Sequence, residues 1–161
     1  MNHNICKPDP DLYTPVMVKI DEIRDLTSDV RFFKTVLTDE SNRQVLNYEP
    51  GQFMMLSVYA TGEAPFSITS TPSRPGSIEF GIRKVGKVTD KIFAMQQGDT
   101  FGLRGPFGNG FPIEKMKGKD VIIVAGGLGS VPLRSLLLYI MDNRDQFGRL
   151  IYLYGARNHS E

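Results

Sequence analysis

The sequence predicts a β-rich unit followed by the opening of an α/β unit: six short strands in an antiparallel barrel or sandwich, then one β–α–β. Three observations predict it. Between Pro15 and Arg104, short apolar runs recur between turn signals at the spacing of such a barrel or sandwich. Gly105–Pro112 reads GPFGNGFP, too rich in glycine and proline for either regular element. Beyond it, Val121–Arg134 reads VIIVAGGLGSVPLR: a buried-strand run, a glycine turn and the start of a helix.

In chain order, residues 1–13 are polar and proline-bearing and read as an N-terminal arm. Strands are expected at Val16–Ile23, Val30–Leu37, Gln52–Tyr59, Phe66–Thr69, Ile78–Lys84 and Thr100–Arg104. Pro50-Gly51, Pro72 with Pro75-Gly76, and Gly98-Asp99 supply turns. A helix over Thr89–Met95 interrupts the series, with Ile92, Phe93 and Met95 as its apolar members. Lys115–Asp120 reads as a charged linker, which puts the division between residues 14–112, the barrel, and 113–161, a partial second domain. A strand over 121–125, a helix over 131–142 and a strand at Leu150–Tyr154 complete the pattern. A mononucleotide-binding unit needs at least three parallel strands, and the roughly 40 residues after the boundary supply two. The run Leu136–Ile140 needs burial, and two strands leave open edges. The expectation is a fragment, or a sheet that other polypeptide completes.

Composition excludes several classes of function. The 161 residues are 40% apolar, enough for a core, and the formal net charge is +1. No basic excess favours nucleic acid, and no apolar run approaches a membrane span. Cys6 is the only cysteine, so no disulfide framework or cysteine-held metal is expected, and a reducing, cytoplasmic setting is the default. His3 and His159 lie near opposite ends and form no ligand pair; no metal site is expected.

The glycine turn carries the strongest chemical signal. Gly126, Gly127 and Gly129 follow a strand, and Pro132 suits the first turn of a helix. Such a turn lets backbone approach a phosphate, which the free N–H groups and partial positive charge of the helix end attract. The last glycine of the usual dinucleotide fingerprint is replaced by Pro132, and an ordinary βα turn without a ligand is the alternative.

Ala64-Pro65-Phe66-Ser67, Gly86-Lys87-Val88-Thr89, Gly105-Pro106-Phe107-Gly108 and the turn at 126–129 stand in an order that resembles the ferredoxin–NADP reductase superfamily. Within it the chain is similar to flavin-bearing electron-transfer subunits: the gamma subunit of sulfhydrogenases, the B subunit of anaerobic sulfite reductase and the electron-transfer subunit of dihydroorotate dehydrogenase. The resemblance spans residues 14–161. It implies a six-stranded antiparallel flavin-binding Greek-key barrel followed by the first β–α–β of a Rossmann-like nucleotide-binding domain. It implies FAD as cofactor and NAD(P)H as substrate. A [2Fe–2S] cluster would lie in a C-terminal extension or a partner, because one cysteine cannot hold it.

By the same resemblance, Ser67 would lie near the flavin N5 that receives hydride, as the catalytic position. Phe66 would stack on the ring system; a plain core residue is the alternative. Ala64 stands where the family has arginine and Phe66 where it has tyrosine, so a phosphate-facing cation and a hydroxyl are missing. Arg83, Lys84 and Lys87 are the cations nearest in sequence; Lys87 is expected to face the phosphates, with plain surface charge as its alternative. Gly86–Thr89 would form the pyrophosphate loop, with Thr89 capping the helix and Asp90 as a mild objection to an anion there. Ile82 and Arg83 would offer backbone contacts, and Pro65 completes the strand motif. Gly105, Pro106 and Phe107 would let flavin and nicotinamide meet, or simply turn the chain. Gly126, Gly127, Gly129 and Pro132 would face the nicotinamide nucleotide. Arg157, with no acid before Glu161, favours NADP over NAD unless it is only a surface arginine.

The leading reading is therefore an FAD-dependent oxidoreductase subunit passing electrons between NAD(P)H and an iron–sulfur partner. Its partners would be iron–sulfur, hydrogenase or reductase subunits, with no nucleic acid and no membrane span. The modest length predicts poor nicotinamide turnover by this chain alone. A non-catalytic β-barrel interaction module and an FMN-binding reductase domain are the alternatives.

Overall fold

In the computed structural model, residues 13–157 are described. All of the N-terminal arm but Tyr13, including His3 and Cys6, lies outside the described residues, as do His159 and Glu161.

Six strands form one sheet: β1 (Val16–Asp25), β2 (Val30–Leu37), β3 (Phe53–Val58), β4 (Gly62–Ser67), β5 (Ile78–Arg83) and β6 (Thr100–Phe107). Their order is β4-β3-β6-β1-β2-β5, with every neighbouring pair antiparallel. Just past β4, the Thr69 N–H donates to the Glu79 carbonyl of β5 at 2.9 Å, bringing the two ends of the sheet together as a barrel. Alternation places Met54, Leu56 and Val58 of β3 and Ile78, Phe80 and Ile82 of β5 inside. Phe33, Phe101 and Leu103 join them. A short helix, α1 (Lys87–Phe93), closes one end with Ile92 fully buried, and Phe93 meets Phe33 edge-on at 6.3 Å.

Beyond shifts of a residue or two at strand ends, sequence and structure differ most at five places. The fourth strand was expected at Phe66–Thr69 and instead runs Gly62–Ser67. Pro65 is tolerated because β4 is an end strand of the hydrogen-bonded sheet, pairing only with β3. The sixth strand does not stop at Arg104. Met55 pairs with Arg104 and Phe53 with Phe107, so Gly105-Pro106 is absorbed as a bulge rather than ending the strand. Helix α1 starts two residues before the expected Thr89, because Thr89 occupies its third position and reaches back. Its hydroxyl accepts from the Val85 and Gly86 N–H groups, both at 2.9 Å. Unforeseen 3₁₀ turns at Glu40–Leu46 bury Val45, with the Asp39 carboxylate accepting from the Ser41 N–H. The expected linker contains a helical turn, α2 (Ile113–Met116), whose Ile113 and Met116 pack on the second core.

That second core belongs to β7 (Val121–Gly126), α3 (Ser130–Asp142) and β8 (Leu150–Gly155). The two strands are parallel and in register from Val121–Leu150 to Gly126–Gly155. Leu136 and Ile140 of α3 cover Val121 and Ile123, while Ile122 and Val124 on the opposite face stay exposed. Pro132 lies in the first turn of α3, where its missing N–H costs nothing.

Helix α3 is joined to the barrel by polar contacts. Arg134 Nη1 donates to the Thr69 carbonyl at 2.8 Å and to Glu79 Oε2 at 2.5 Å. Arg74 makes a two-pronged ion pair with Asp142 at 3.0 and 2.6 Å. Gly81 of β5 allows a close approach: a Cβ there would sit 2.8 Å from Val131 Cγ2.

Candidate functional site

Where the barrel meets α3, two clefts open side by side. The first, of about 540 Å³, is walled on the barrel side by Ala64, Pro65, Phe66 and Ser67. Gly81, Arg83, Val85 and Thr89 complete that side, and Leu128, Gly129, Val131 and Pro132 form the facing wall. The volume and the mainly apolar lining are those of a small-molecule site. Ser67 ends β4 half-buried, opposite Phe53. Phe66 is half-buried and packs against the barrel core, so it both lines the cleft and serves the core. Among the described lining residues Arg83 alone is charged; Asp29, which pairs with it at 3.0 Å, does not line the cleft.

The second cleft, of about 470 Å³, has a glycine floor: Gly126, Gly127, Gly129 and Gly155. A Cβ added at Gly129 or Gly155 would meet nothing within 4 Å, so backbone is open to close approach there. Gly127 has φ +47°, in the left-handed region that favours glycine. Arg83 and Arg157 are its charged lining residues. Arg83 thus borders both clefts.

The barrel wall is braced from behind through Ser70. Its hydroxyl accepts from Tyr48 at 2.7 Å and from the Glu79 N–H at 3.2 Å, and its carbonyl accepts from Ser135 at 2.5 Å. Burial pushes the Tyr48 phenol up to about 12, so it stays a proton donor at neutral pH.

The structure brings Ala64, Pro65, Phe66, Ser67, Arg83, Thr89, Gly129 and Pro132 into one cleft. It gathers Gly126, Gly127, Gly129 and Arg157 in the other. The remaining expected positions line neither cleft. Ile82 has its side chain in the barrel core, leaving only backbone to offer. Gly86 and Lys87 are exposed at the start of α1, and Val88 packs on the core. Gly105 and Pro106 form the β6 bulge, and Phe107 meets Phe53 at 5.8 Å, two strands from Ser67. Gly81, Val85, Leu128, Val131, Gly155 and Ala156 line the clefts without having been expected. A lone glycine inside a strand was the available signal for Gly81.

A family profile described as an oxidoreductase FAD-binding domain matches residues 17–111. The sulfhydrogenase 1 subunit gamma of Pyrococcus furiosus is 39% identical over 153 residues, covering 95% of this chain and 52% of that one. A probable dihydroorotate dehydrogenase B (NAD(+)) electron transfer subunit of Thermococcus kodakarensis is 31% identical, over 90% of this chain and 54% of its own. The chain spans about half the length of the curated relatives it matches. Solved structures share the fold. The ferredoxin-NADP+ reductase of Plasmodium falciparum superposes with a TM-score of 0.76 at 19% identity, over 91% of this chain and 60% of that one. Phthalate dioxygenase reductase, described as a modular structure for electron transfer from pyridine nucleotides to [2Fe-2S], gives 0.76 at 18% identity, over 91% and 45%.

Proposed function

Because the chain belongs to the oxidoreductase FAD-binding domain family, we propose that the first cleft holds FAD and that the intact protein passes electrons between NAD(P)H and an iron–sulfur partner. One observation carries this reading: Ala64–Ser67 of β4 and the glycine turn of the α/β unit wall the same cleft, beside a second, glycine-floored one. The residues fit a flavin. An apolar slot with one hydroxyl at Ser67, one cation at Arg83 and no carboxylate suits a planar ring system that carries phosphate.

FAD, when bound, supplies the hydride and single-electron chemistry. Phe66 and Pro65 would form one apolar wall, and Leu128, Val131 and Pro132 would exclude water from the other. Ser67 would hold a hydrogen bond at its Oγ inside that apolar stretch. Thr89 ties down the loop at 85–86 through two accepted N–H bonds. No side chain is assigned as general acid or base.

The second cleft would take the nicotinamide dinucleotide on Gly126, Gly127 and Gly129. Two arginines without a carboxylate among the described lining residues support NADP over NAD. The division into a barrel at 14–112 and a nucleotide-binding part at 113–161 belongs to the same proposal. It is supported by two separate cores, with Ile113 and Met116 packing on the second. The relatives are named as subunits, which supports a multisubunit assembly with iron–sulfur, hydrogenase or reductase partners. The single cysteine supports a reducing, cytoplasmic setting. No helix among the described residues is long and apolar enough to cross a membrane.

The test uses the natural full-length protein loaded with FAD. NADPH, and more slowly NADH, should bleach the flavin's visible band under anaerobic conditions. Ser67→Ala should slow the bleaching while the flavin stays bound. An unchanged rate removes Ser67 from this role, and no bleaching by either nucleotide removes the electron-transfer reading.

A further inference from the structure

We propose that Arg83, not Lys87, is the cation that receives the flavin's diphosphate, replacing the one missing at Ala64; this rests on the reading of the first cleft as the FAD site. Lys87 is nearer the expected pyrophosphate loop in sequence. Yet it is exposed and lines neither cleft, and the same holds for Lys84. Arg83 is the one charged side chain on the described wall of the first cleft, and it stands where that cleft meets the second.

Its present partnership is incomplete. Arg83 Nε lies 3.0 Å from Asp29 Oδ2, but it is shut off from water and makes no hydrogen bond. A buried donor left unmade is unfavourable, so the ion pair with Asp29 does not saturate the guanidinium, whose other N–H donors suit phosphate oxygens. Asp29 itself is held from elsewhere: its Oδ1 accepts from Thr27 Oγ1 at 2.8 Å and its carbonyl from the Lys84 N–H at 2.8 Å. Val30, the next residue, pairs with Arg83 across β2 and β5, so the backbone on both sides is fixed. The Arg83 side chain as a whole is about one-third exposed and borders both clefts. Its planar fork matches phosphate better than an ammonium group does.

The diphosphate is present in FAD and absent from riboflavin, so the two flavins separate this role from packing on the ring. Flavin-free protein is titrated with each, following flavin fluorescence, for wild type, Arg83→Gln, Arg83→Lys and Lys87→Gln. Arg83→Gln should raise the FAD dissociation constant about 10- to 100-fold and leave that of riboflavin unchanged. Arg83→Lys, which keeps the charge and the fold but loses the fork, should fall between. Lys87→Gln should bind FAD as wild type does. Equal losses for FAD and riboflavin in Arg83→Gln, or the larger loss in Lys87→Gln, would overturn the assignment. Wild type that takes up neither flavin would instead overturn the reading of the cleft itself.

Discussion

The Ser135 hydroxyl, fully buried on α3, donates to the Ser70 carbonyl of the barrel at 2.5 Å. Ser70 at the same time accepts from Tyr48 and from the Glu79 N–H. One residue therefore joins the segment after β4, the β5 strand and the α/β unit directly behind the cleft wall. Ser135→Ala leaves a buried carbonyl without this partner and should cost about 1–3 kcal/mol. Urea unfolding measures it, and a loss below the error of the fit would mean that the contact does not hold the units together.

Gly81 and Val131 make a second, purely steric joint. A methyl at position 81 would lie 2.8 Å from Val131 Cγ2, closer than real Cβ contacts come. Gly81→Ala should destabilise by about 1–3 kcal/mol through overpacking. Val131→Ala in the same chain should recover most of that loss. A double-mutant cycle checks it, and additive losses would mean that α3 does not press on β5.

Stability should fall in strong alkali because of Tyr48. Its phenol ionises near 10 in an unfolded chain and only at about 12 in the fold, where burial disfavours the charge. From about pH 10 upward the unfolded chain gives up this proton while the folded one keeps it, so the unfolded state gains. Stability contributed below pH 10 is lost as pH rises to about 12, amounting to about 2–3 kcal/mol. Tyr48→Phe should flatten this slope in denaturant titrations across that range, and an unchanged slope would exclude Tyr48 as its source.

Thr89 ties the loop at 85–86 to the first turn of α1. Thr89→Ala strips a partner from the Val85 and Gly86 N–H groups and should cost about 1–3 kcal/mol and loosen FAD. Thr89→Ser, which keeps the hydroxyl, should retain both. Equal losses in the two variants would show that the methyl, not the hydroxyl, matters, and no loss in Thr89→Ala would remove the tie.

At Gly127, φ is +47°, and a β-branched residue there is strained. Gly127→Val in the full-length protein should weaken nicotinamide dinucleotide binding and leave flavin content unchanged. Calorimetry and flavin quantitation read the two separately. Loss of both would mean that the clefts are not independent.

Much of the fold was legible because alternation is a strong signal. β2 runs Val30–Leu37 as expected, and β7 and β8 differ from expectation by a residue or so at their ends. What failed depended on tertiary context. The start of β4 at Gly62 depends on its place at the end of the sheet, where Pro65 has no second ladder partner to lose. Gly105-Pro106 reads as a terminus until Phe107 is seen paired with Phe53. Residues 64–67, singled out by the family resemblance, and the glycine turn with Pro132, singled out by residue type and spacing, come to lie on the walls of two adjoining clefts. Val85, Leu128 and Val131 were not legible, since an apolar residue looks the same on a cleft wall as in a core. Nor could sequence choose Arg83 over Lys87, because the choice depends on where each side chain ends rather than on charge.

The measurement that bears most directly on the central claim is flavin retention. The purified chain is mixed with FAD, passed through a desalting column, and its visible spectrum recorded; the heat-released chromophore is then identified by chromatography. Stoichiometric yellow protein releasing FAD is the predicted result. Protein that emerges colourless after the same treatment contradicts the account.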